Sequence, residues 1–495
     1  MRKVHNQIDP LPGLYVDAVT FSEDDPIRQQ ILHEQDRVAQ WFTIKVDSSS
    51  TSAPRLSVTD RFRQLCDPGV SGSKWSKRQY PGFVSFIGNT GIGKSTLLRA
   101  MILMGQVDPS GAAYERDEAG GKWKTKINGF RGVLARNAQG PVSRSACLEN
   151  LTDPTSFGVH LYRDVATSIS SDGKMDESRN YEDTPILFAD CEGFRAGHAT
   201  TNAERSALPP LLNFVSESPI TAASYGKHGK EGVDLFYARF LYTISDVVVF
   251  VMTGDTELYP SMQKLLEWAA SAVHRSVNHL PHKTLVIVRN MAVLHKKELY
   301  NEKTLRSSLL LNLAPLWDGS PILTSFRKSF NDKHHVDSQK IDDNDDILHK
   351  FFSDVRYCYI PDTSKAPPDQ IFERYQALRN QIVDASQESQ RLRARAWMQY
   401  NVPTLSHILN RAFEHFRTSD QPFDFYKAAR NDNPSPEAVS DHIANFIRHL
   451  HLMPSFPLRI IPQTISTCLV SWALRNFNSG KHRLLLLREA VANCK

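Results

Sequence analysis

The sequence has little cysteine, no long apolar run and no excess of charge of either sign. Six cysteines, Cys66, Cys147, Cys191, Cys358, Cys468 and Cys494, are scattered over 495 residues. No CxxC pair occurs, which argues against a disulfide framework or a zinc knuckle and favours reduced thiols in a cytoplasmic protein. The strongly apolar stretches, such as Val247–Met252 and residues 484–487, are too short to span a bilayer, so a membrane is not indicated. The amino terminus, MRKVHNQIDPLPG, carries early cations with no apolar run behind them and does not read as a secretory signal. The formal charge of +5 comes without a dense basic stripe, so no nucleic-acid partner is expected. No internal repeat is visible. What remains is an ordinary globular balance, 41% hydrophobic and 23% charged, in a chain long enough for more than one domain.

The first element with a chemical meaning is Gly88-Asn89-Thr90-Gly91-Ile92-Gly93-Lys94-Ser95, followed by Thr96. It matches G-x-x-x-x-G-K-[ST] without a mismatch. Its context fits: residues 82–87 read as an apolar strand and residues 94–104 as a helix. Glycines let such a loop curl so that its backbone N–H groups converge on phosphate oxygens. The helix N-terminus adds partial positive charge at the same place. Lys94 is expected to reach the β- and γ-phosphates and Ser95 to place its hydroxyl on Mg²⁺.

A second element, Asp190-Cys191-Glu192-Gly193, follows an apolar strand over 184–190. Asp190 is expected to accept from a Mg²⁺-bound water. Gly193 is expected to offer its N–H to a γ-phosphate, since no side chain blocks the approach. The next residue is Phe194, where Ras-like GTPases carry the glutamine that orients the attacking water. Glu192 is a possible substitute. A serine or threonine for the metal from the segment PVSRSACLENLT stays open among Ser143, Ser145 and Thr152.

The third element ends the strand over 283–290 with Arg289-Asn290, and no N/T-K-x-D tetrad occurs there. Together, GNTGIGKS, DCEG and the strand-terminal Arg289-Asn290 resemble the pattern of guanylate-binding proteins and atlastins in the dynamin superfamily. That group uses an Arg-Asp pair to read guanine. The resemblance covers roughly residues 82–384. It implies a GTP-binding protein with Mg²⁺ as cofactor, nucleotide contacts from Gly88 to Thr96, Asp190, Gly193, Arg289 and Asn290, and a nucleotide-dependent homodimer. Two departures stand out. Asn290 occupies the aspartate position, and Gly91 the position of a loop arginine that serves catalysis in guanylate-binding proteins. In this respect the phosphate loop is similar to those of septins and immunity-associated GTPases. Arg131, Arg144 and Arg195 lie in other segments, and spacing singles out none of them.

Along the chain, residues 27–44 read as a helix and 47–57 as a polar linker. Strands and helices then alternate: helices over 234–245, 261–275 and 368–383, strands over 246–254, 283–290 and 355–362. Long inserts cover 105–150 and 195–232. Beyond 385 the pattern becomes helical. His442 and His449 share a helix face there, and a half-exposed surface is a simpler reading than a metal site. The expected fold class is α/β: a three-layer P-loop NTPase domain with a mainly parallel sheet, plus an α-helical C-terminal extension. The expected divisions are 1–80 (helical and linker), 81–384 (GTPase-like) and 385–495 (helical). The expected function is GTP binding with slow hydrolysis coupled to a conformational switch or self-assembly. Two alternatives stay open: a non-hydrolysing, nucleotide-dependent interaction module, and an ATP-binding P-loop protein.

Overall fold

The computed structural model describes residues 37–45, 54–66, 79–104, 114–116, 123–125, 158–164, 184–191, 214–222, 230–254, 258–273, 283–292, 296–310, 313–333, 340–395, 398–419, 423–425, 428, 439–450, 462–463 and 465–469. The strands are β1 (Gln40–Lys45), β2 (Arg55–Thr59), β3 (Gly82–Gly88), β4 (Tyr114–Arg116), β5 (Trp123–Thr125), β6 (Val159–Arg163), β7 (Ile186–Cys191), β8 (Phe214–Pro219), β9 (Val247–Met252), β10 (Lys283–Ala292) and β11 (Phe352–Pro361). The helices are α1 (Arg61–Cys66), α2 (Lys94–Met104), α3 (Lys230–Ile244), α4 (Leu258–Val273), α5 (Glu302–Leu310), α6 (Pro321–Lys333), α7 (Asn344–Phe351), α8 (Pro368–Arg395), α9 (Val402–Thr418) and α10 (Val439–Leu450). The architecture is mixed α/β with a helical C-terminal region. Among the described residues, no helix is long and apolar enough to cross a membrane.

Among the described residues, a nine-stranded sheet runs in the order β11-β10-β9-β3-β7-β6-β1-β2-β8, with β4 and β5 as a separate antiparallel pair. The strands β11, β10, β9, β3 and β7 are mutually parallel. From β7 outward, every pairing through β6, β1, β2 and β8 is antiparallel. The sheet is therefore mixed, and the expectation of a mainly parallel sheet holds for one half only. That half is the one with near-continuous apolar strands. Every residue of β3, β7 and β9 is buried, as a strand covered on both faces requires.

Successive residues of the parallel strands supply opposite cores. Val84 and Phe86 of β3, with Val247, Val249 and Val251 of β9, join Leu97, Leu98, Met101 and Ile102 of α2 and Ile371, Leu378 and Ile382 of α8 in one cluster. Burying each such side chain stabilises by roughly 1.5–3 kcal/mol, which holds the short α2 in place. On the other face, Phe83 stacks on Trp41 at 5.5 Å, and Phe240 of α3 stacks on Phe413 of α9 at 4.2 Å.

That aromatic cluster explains a correction. Residues 27–44 were expected to form a helix, yet 37–39 form a single 3-10 turn and Gln40–Lys45 a sheet strand. Trp41 and Phe42 are buried among Phe83, Phe240 and Phe413. The run QWFTIK is rich in aromatic and β-branched residues, which suit a strand when cross-strand partners exist. Similarly, part of the expected linker is β2, and β8 lies inside the expected 195–232 insert.

The chain forms two compact units, Met1–Ser406 with Ala412–Phe423, and His407–Arg411 with Asp424–Lys495. The boundaries read from sequence, after residues 80 and 384, both fall inside the first unit. In the second, α10 carries Ile443 as a buried side chain.

The expected helix over 368–383 continues to Arg395. Its inward positions turn polar after Ala385, with Ser386, Ser389, Gln390 and Arg393 buried. Asp246 at the start of β9 receives Ser389 and Arg393. It accepts from Phe83 N at 2.8 Å and Ser389 Oγ at 2.5 Å, and pairs with Arg393 Nε at 2.8 Å. A second buried pair joins Arg379 of α8 to Asp164 beside β6, with both carboxylate oxygens within 3.1 Å of Nη2.

Candidate functional site

The chain leaves β3 for β6 and β7 on one side of it, then crosses to β9, β10 and β11 on the other. In open α/β sheets, ligands bind outside the carboxyl ends of the strands where the order reverses in this way. The register brings those ends level: Gly88 lies opposite Val251, Phe86 opposite Asp190, and Arg289 opposite Met252. The residues singled out in the sequence therefore meet at one edge, although they come from three separate stretches of chain.

The loop between β3 and α2 is shaped by its glycines. Gly88, Gly91 and Gly93 have φ of +145°, +78° and +83°. Such values disfavour any residue with a Cβ. At Gly88 the close approach is also absolute, because a Cβ would lie 2.3 Å from the Val251 carbonyl oxygen of the neighbouring strand. Ile92 is buried and anchors the loop to the core below it. The first intrahelical bond of α2, from Leu97 N to Gly93 O at 2.9 Å, makes Gly93 the residue from which the helix starts. The helix axis thus ends at the loop, and its first-turn N–H groups point toward the loop side.

Lys94 is buried, with Nζ donating to Gly88 O at 3.3 Å and Asn89 O at 2.8 Å. The ammonium is folded over the loop from which the chain enters the helix. Asn89 Nδ2 donates to Ser261 Oγ on α4 at 3.2 Å, which ties the loop's outer limb to a second helix. Thr90 Oγ1 is a buried atom with no hydrogen-bond partner among the described residues.

Ser95 Oγ donates to Asp190 Oδ2 at 2.6 Å. Asp190 is 1% exposed at the end of β7. A hydroxyl and a carboxylate from positions 95 residues apart thus form one pair of hard oxygen donors beside the loop. Among the described residues, no group of three or more His, Cys, Asp and Glu forms a metal cluster. Mg²⁺ does not require one, since it is commonly held by one or two protein oxygens with phosphate oxygens and waters. The Ser95 and Asp190 oxygens suit that ion in chemistry and number.

Arg289 and Asn290 separate into two roles. Arg289 sits with its guanidinium 5.8 Å from the Tyr359 ring centroid. Asn290 turns inward, and its Nδ2 donates to Ile92 O at 2.9 Å. Only the amide nitrogen can face a carbonyl at that distance, so the orientation follows from the bond itself. Asn290 is therefore a brace under the glycine-rich loop, a role that its sequence position alone did not suggest. Beyond it, Met291 has φ +53° and is 48% exposed. This is a rare backbone state for a residue with a long side chain.

Gly193, Glu192 and Phe194, the arginines Arg131, Arg144 and Arg195, and the hydroxyls Ser143, Ser145 and Thr152 lie outside the described residues. The remaining sequence-singled residues, Gly88 to Thr96, Asp190, Arg289 and Asn290, all belong to the carboxyl edge. No protein-family model matches this chain, and no curated protein matches it.

Proposed function

We propose that this chain is a P-loop nucleoside triphosphate-binding protein of the GTPase kind, with Mg²⁺ as cofactor and slow hydrolysis. The observation that carries the reading is the 2.6 Å bond between Ser95 Oγ and Asp190 Oδ2 beside a loop of left-handed glycines. Each sequence motif alone is short. Their convergence at the switch point of the sheet is what a phosphate and metal site needs.

The strand order supports the same reading. The central parallel strand feeds the loop, the Asp190 strand flanks it on one side, and β9, β10 and β11 follow on the other. This arrangement fits the three-layer P-loop fold expected from the motifs, enlarged by the antiparallel strands β1, β2 and β8. The likeness to the guanylate-binding and dynamin-like group rests on the motifs.

In this reading the loop amides and the α2 N-terminus receive the phosphate oxygens. Lys94 supplies a positive charge from its position against Gly88 O and Asn89 O. Ser95 and Asp190 would hold the cation, and bound Mg²⁺ would neutralise charge on the terminal phosphates. Gly91 brings no cationic side chain to the loop, and Phe194 brings no polar group to the usual water-orienting position. Hydrolysis is therefore slow, or is completed by a group from a partner, with a nucleotide-dependent homodimer as the form the resemblance implies. The same two residues favour the second reading, a module that binds nucleotide without cleaving it.

Equilibrium titration of a fluorescent GTP analogue in Mg²⁺ tests the site. The wild type binds, and Lys94→Ala and Ser95→Ala weaken binding at least tenfold. Equal binding by the wild type and Lys94→Ala refutes the assignment. Single-turnover hydrolysis at two protein concentrations then separates the readings. Faster cleavage at the higher concentration supports the assembling GTPase, and intact bound nucleotide supports the module.

A further inference from the structure

A site that reads guanine must present acceptors to the donor edge of the base, and a carboxylate does this best. Asn290 is the residue that the sequence offers for the task; it brings no carboxylate, and the structure bonds its amide nitrogen to the loop. Its side chain is 5% exposed and donates to Ile92 O. A Cβ at Gly93 would lie 2.6 Å from the same Nδ2, so the amide is wedged between the loop and the strand end. Turning the amide toward a base would break its bond to Ile92 O.

The sequence just beyond Asn290 brings no carboxylate. It reads Met291-Ala292-Val293-Leu294-His295-Lys296-Lys297, with no aspartate or glutamate before Glu298. The neighbouring strand end contributes Asp362, whose backbone N donates to Ala292 O. Its Oδ1 is engaged in its own turn, accepting from Ser364 N and Ser364 Oγ, both at 2.9 Å. What the strand end does offer is Met291. It is exposed, it is held in a left-handed conformation, and its sulfur lies 3.5 Å from where a Cβ at Gly93 would stand. A thioether beside the loop gives an adaptable apolar surface to any purine face.

We infer that this site accepts adenine and guanine nucleoside triphosphates alike: the triphosphate carries recognition, Asn290 positions the loop that grips it, and Met291 provides a base-tolerant seat. The inference rests on the nucleotide-binding reading above and narrows its substrate class.

The test is displacement of a fluorescent GTP analogue from the full chain in Mg²⁺ by GTP, ATP and inorganic tripolyphosphate. GTP and ATP should displace it within about threefold of each other, with tripolyphosphate also competing. A site built to hydrogen-bond one base would instead discriminate by about 10⁴-fold. Asn290→Asp sets a carboxylate against the Ile92 carbonyl. It should weaken all three competitors by a common factor of about ten, with the GTP-to-ATP ratio unchanged. Met291→Ala should weaken GTP and ATP equally, by about threefold, and leave tripolyphosphate unaffected.

A wild-type preference for GTP over ATP of more than thirtyfold overturns the inference and leaves the phosphate site standing. So does a guanine preference created by Asn290→Asp, or one abolished by Asp362→Asn. Failure of all three competitors and of the analogue to bind the wild type overturns the nucleotide reading, and the inference with it. The wild-type ratio alone decides the question should either variant fail to fold.

Discussion

Two glycines of the loop between β3 and α2 offer a controlled experiment, because they share a backbone conformation and differ in their surroundings. Gly91 and Gly93 have φ of +78° and +83°. A Cβ at Gly91 meets nothing within 4 Å, whereas one at Gly93 would lie 2.6 Å from Asn290 Nδ2. Alanine at either position incurs the left-handed penalty of about 1–2 kcal/mol. At Gly93 the Asn290 amide must also swing away and release Ile92 O. Leaving a carbonyl of that kind without its donor costs a further ~1–3 kcal/mol. Gly91→Ala should therefore lose about 1–2 kcal/mol and Gly93→Ala about 2–5 kcal/mol. Urea unfolding followed by tryptophan fluorescence measures both, in the wild type and in an Asn290→Ala background. In that background the Asn290 side chain is gone, and the Gly93→Ala loss should shrink to that of Gly91→Ala. If Gly93→Ala costs the same in both backgrounds, Asn290 does not brace the loop and the reasoning about this strand end fails.

The other expectations concern the core and the loop. Truncating one partner of the buried Arg379–Asp164 pair, as in Asp164→Ala, should destabilise by about 3–5 kcal/mol, because it strands a guanidinium between α8 and α2. An unfolding free energy within 1 kcal/mol of wild type by urea titration would contradict this. Lys283 is buried over the Tyr242 ring, and burial, aided by the nearby Arg393 charge and opposed by Asp246, pushes its ammonium down to about 7. Above that pH the folded chain has released a proton that the unfolded chain still holds, so stability should rise between about pH 7 and the ordinary lysine value of 10.5. Replacing Lys283 with Met should flatten the rise in a pH series of unfolding curves, and an unchanged slope would exclude the lysine as its source. Thr90→Val should leave unfolding unchanged within about 0.5 kcal/mol, since its hydroxyl meets no described acceptor or donor. The same variant should weaken nucleotide binding by about fivefold if that hydroxyl meets a phosphate, and unchanged affinity in a titration would remove it from the site.

Much of the site is legible in the sequence because its chemistry is local. The loop from Gly88 to Ser95 announces itself through glycines whose φ values no other residue takes easily, followed directly by the helix that the loop must start. Asp190 is marked by its place at the end of an apolar strand. The parallel strands are legible for a related reason. Covered on both faces, they carry uninterrupted apolar runs. By contrast, β1 and β2 escape notice because a strand of the antiparallel half gains its identity from partners far along the chain. Trp41 and Phe42 look compatible with a helix until Phe83, Phe240 and Phe413 are placed around them. The length of α8 is hidden for the opposite reason. Its last turns bury serine, glutamine and arginine, which no apolar periodicity reveals, and Asp246 partners Ser389 and Arg393 among them.

The sequence by itself determined the glycine-rich loop, the strand and helix on either side of it, and the carboxylate that ends β7, because each depends on neighbours within a few residues. Only the tertiary structure decided that Ser95 meets Asp190, that half the sheet is antiparallel, and that Asn290 supports the loop from below. Those facts depend on strand order and register, which set distances between residues about one hundred to two hundred positions apart. A side chain's hydrogen-bonding capacity is written in its identity, but which group fills that capacity is settled by the packing that brings the two together.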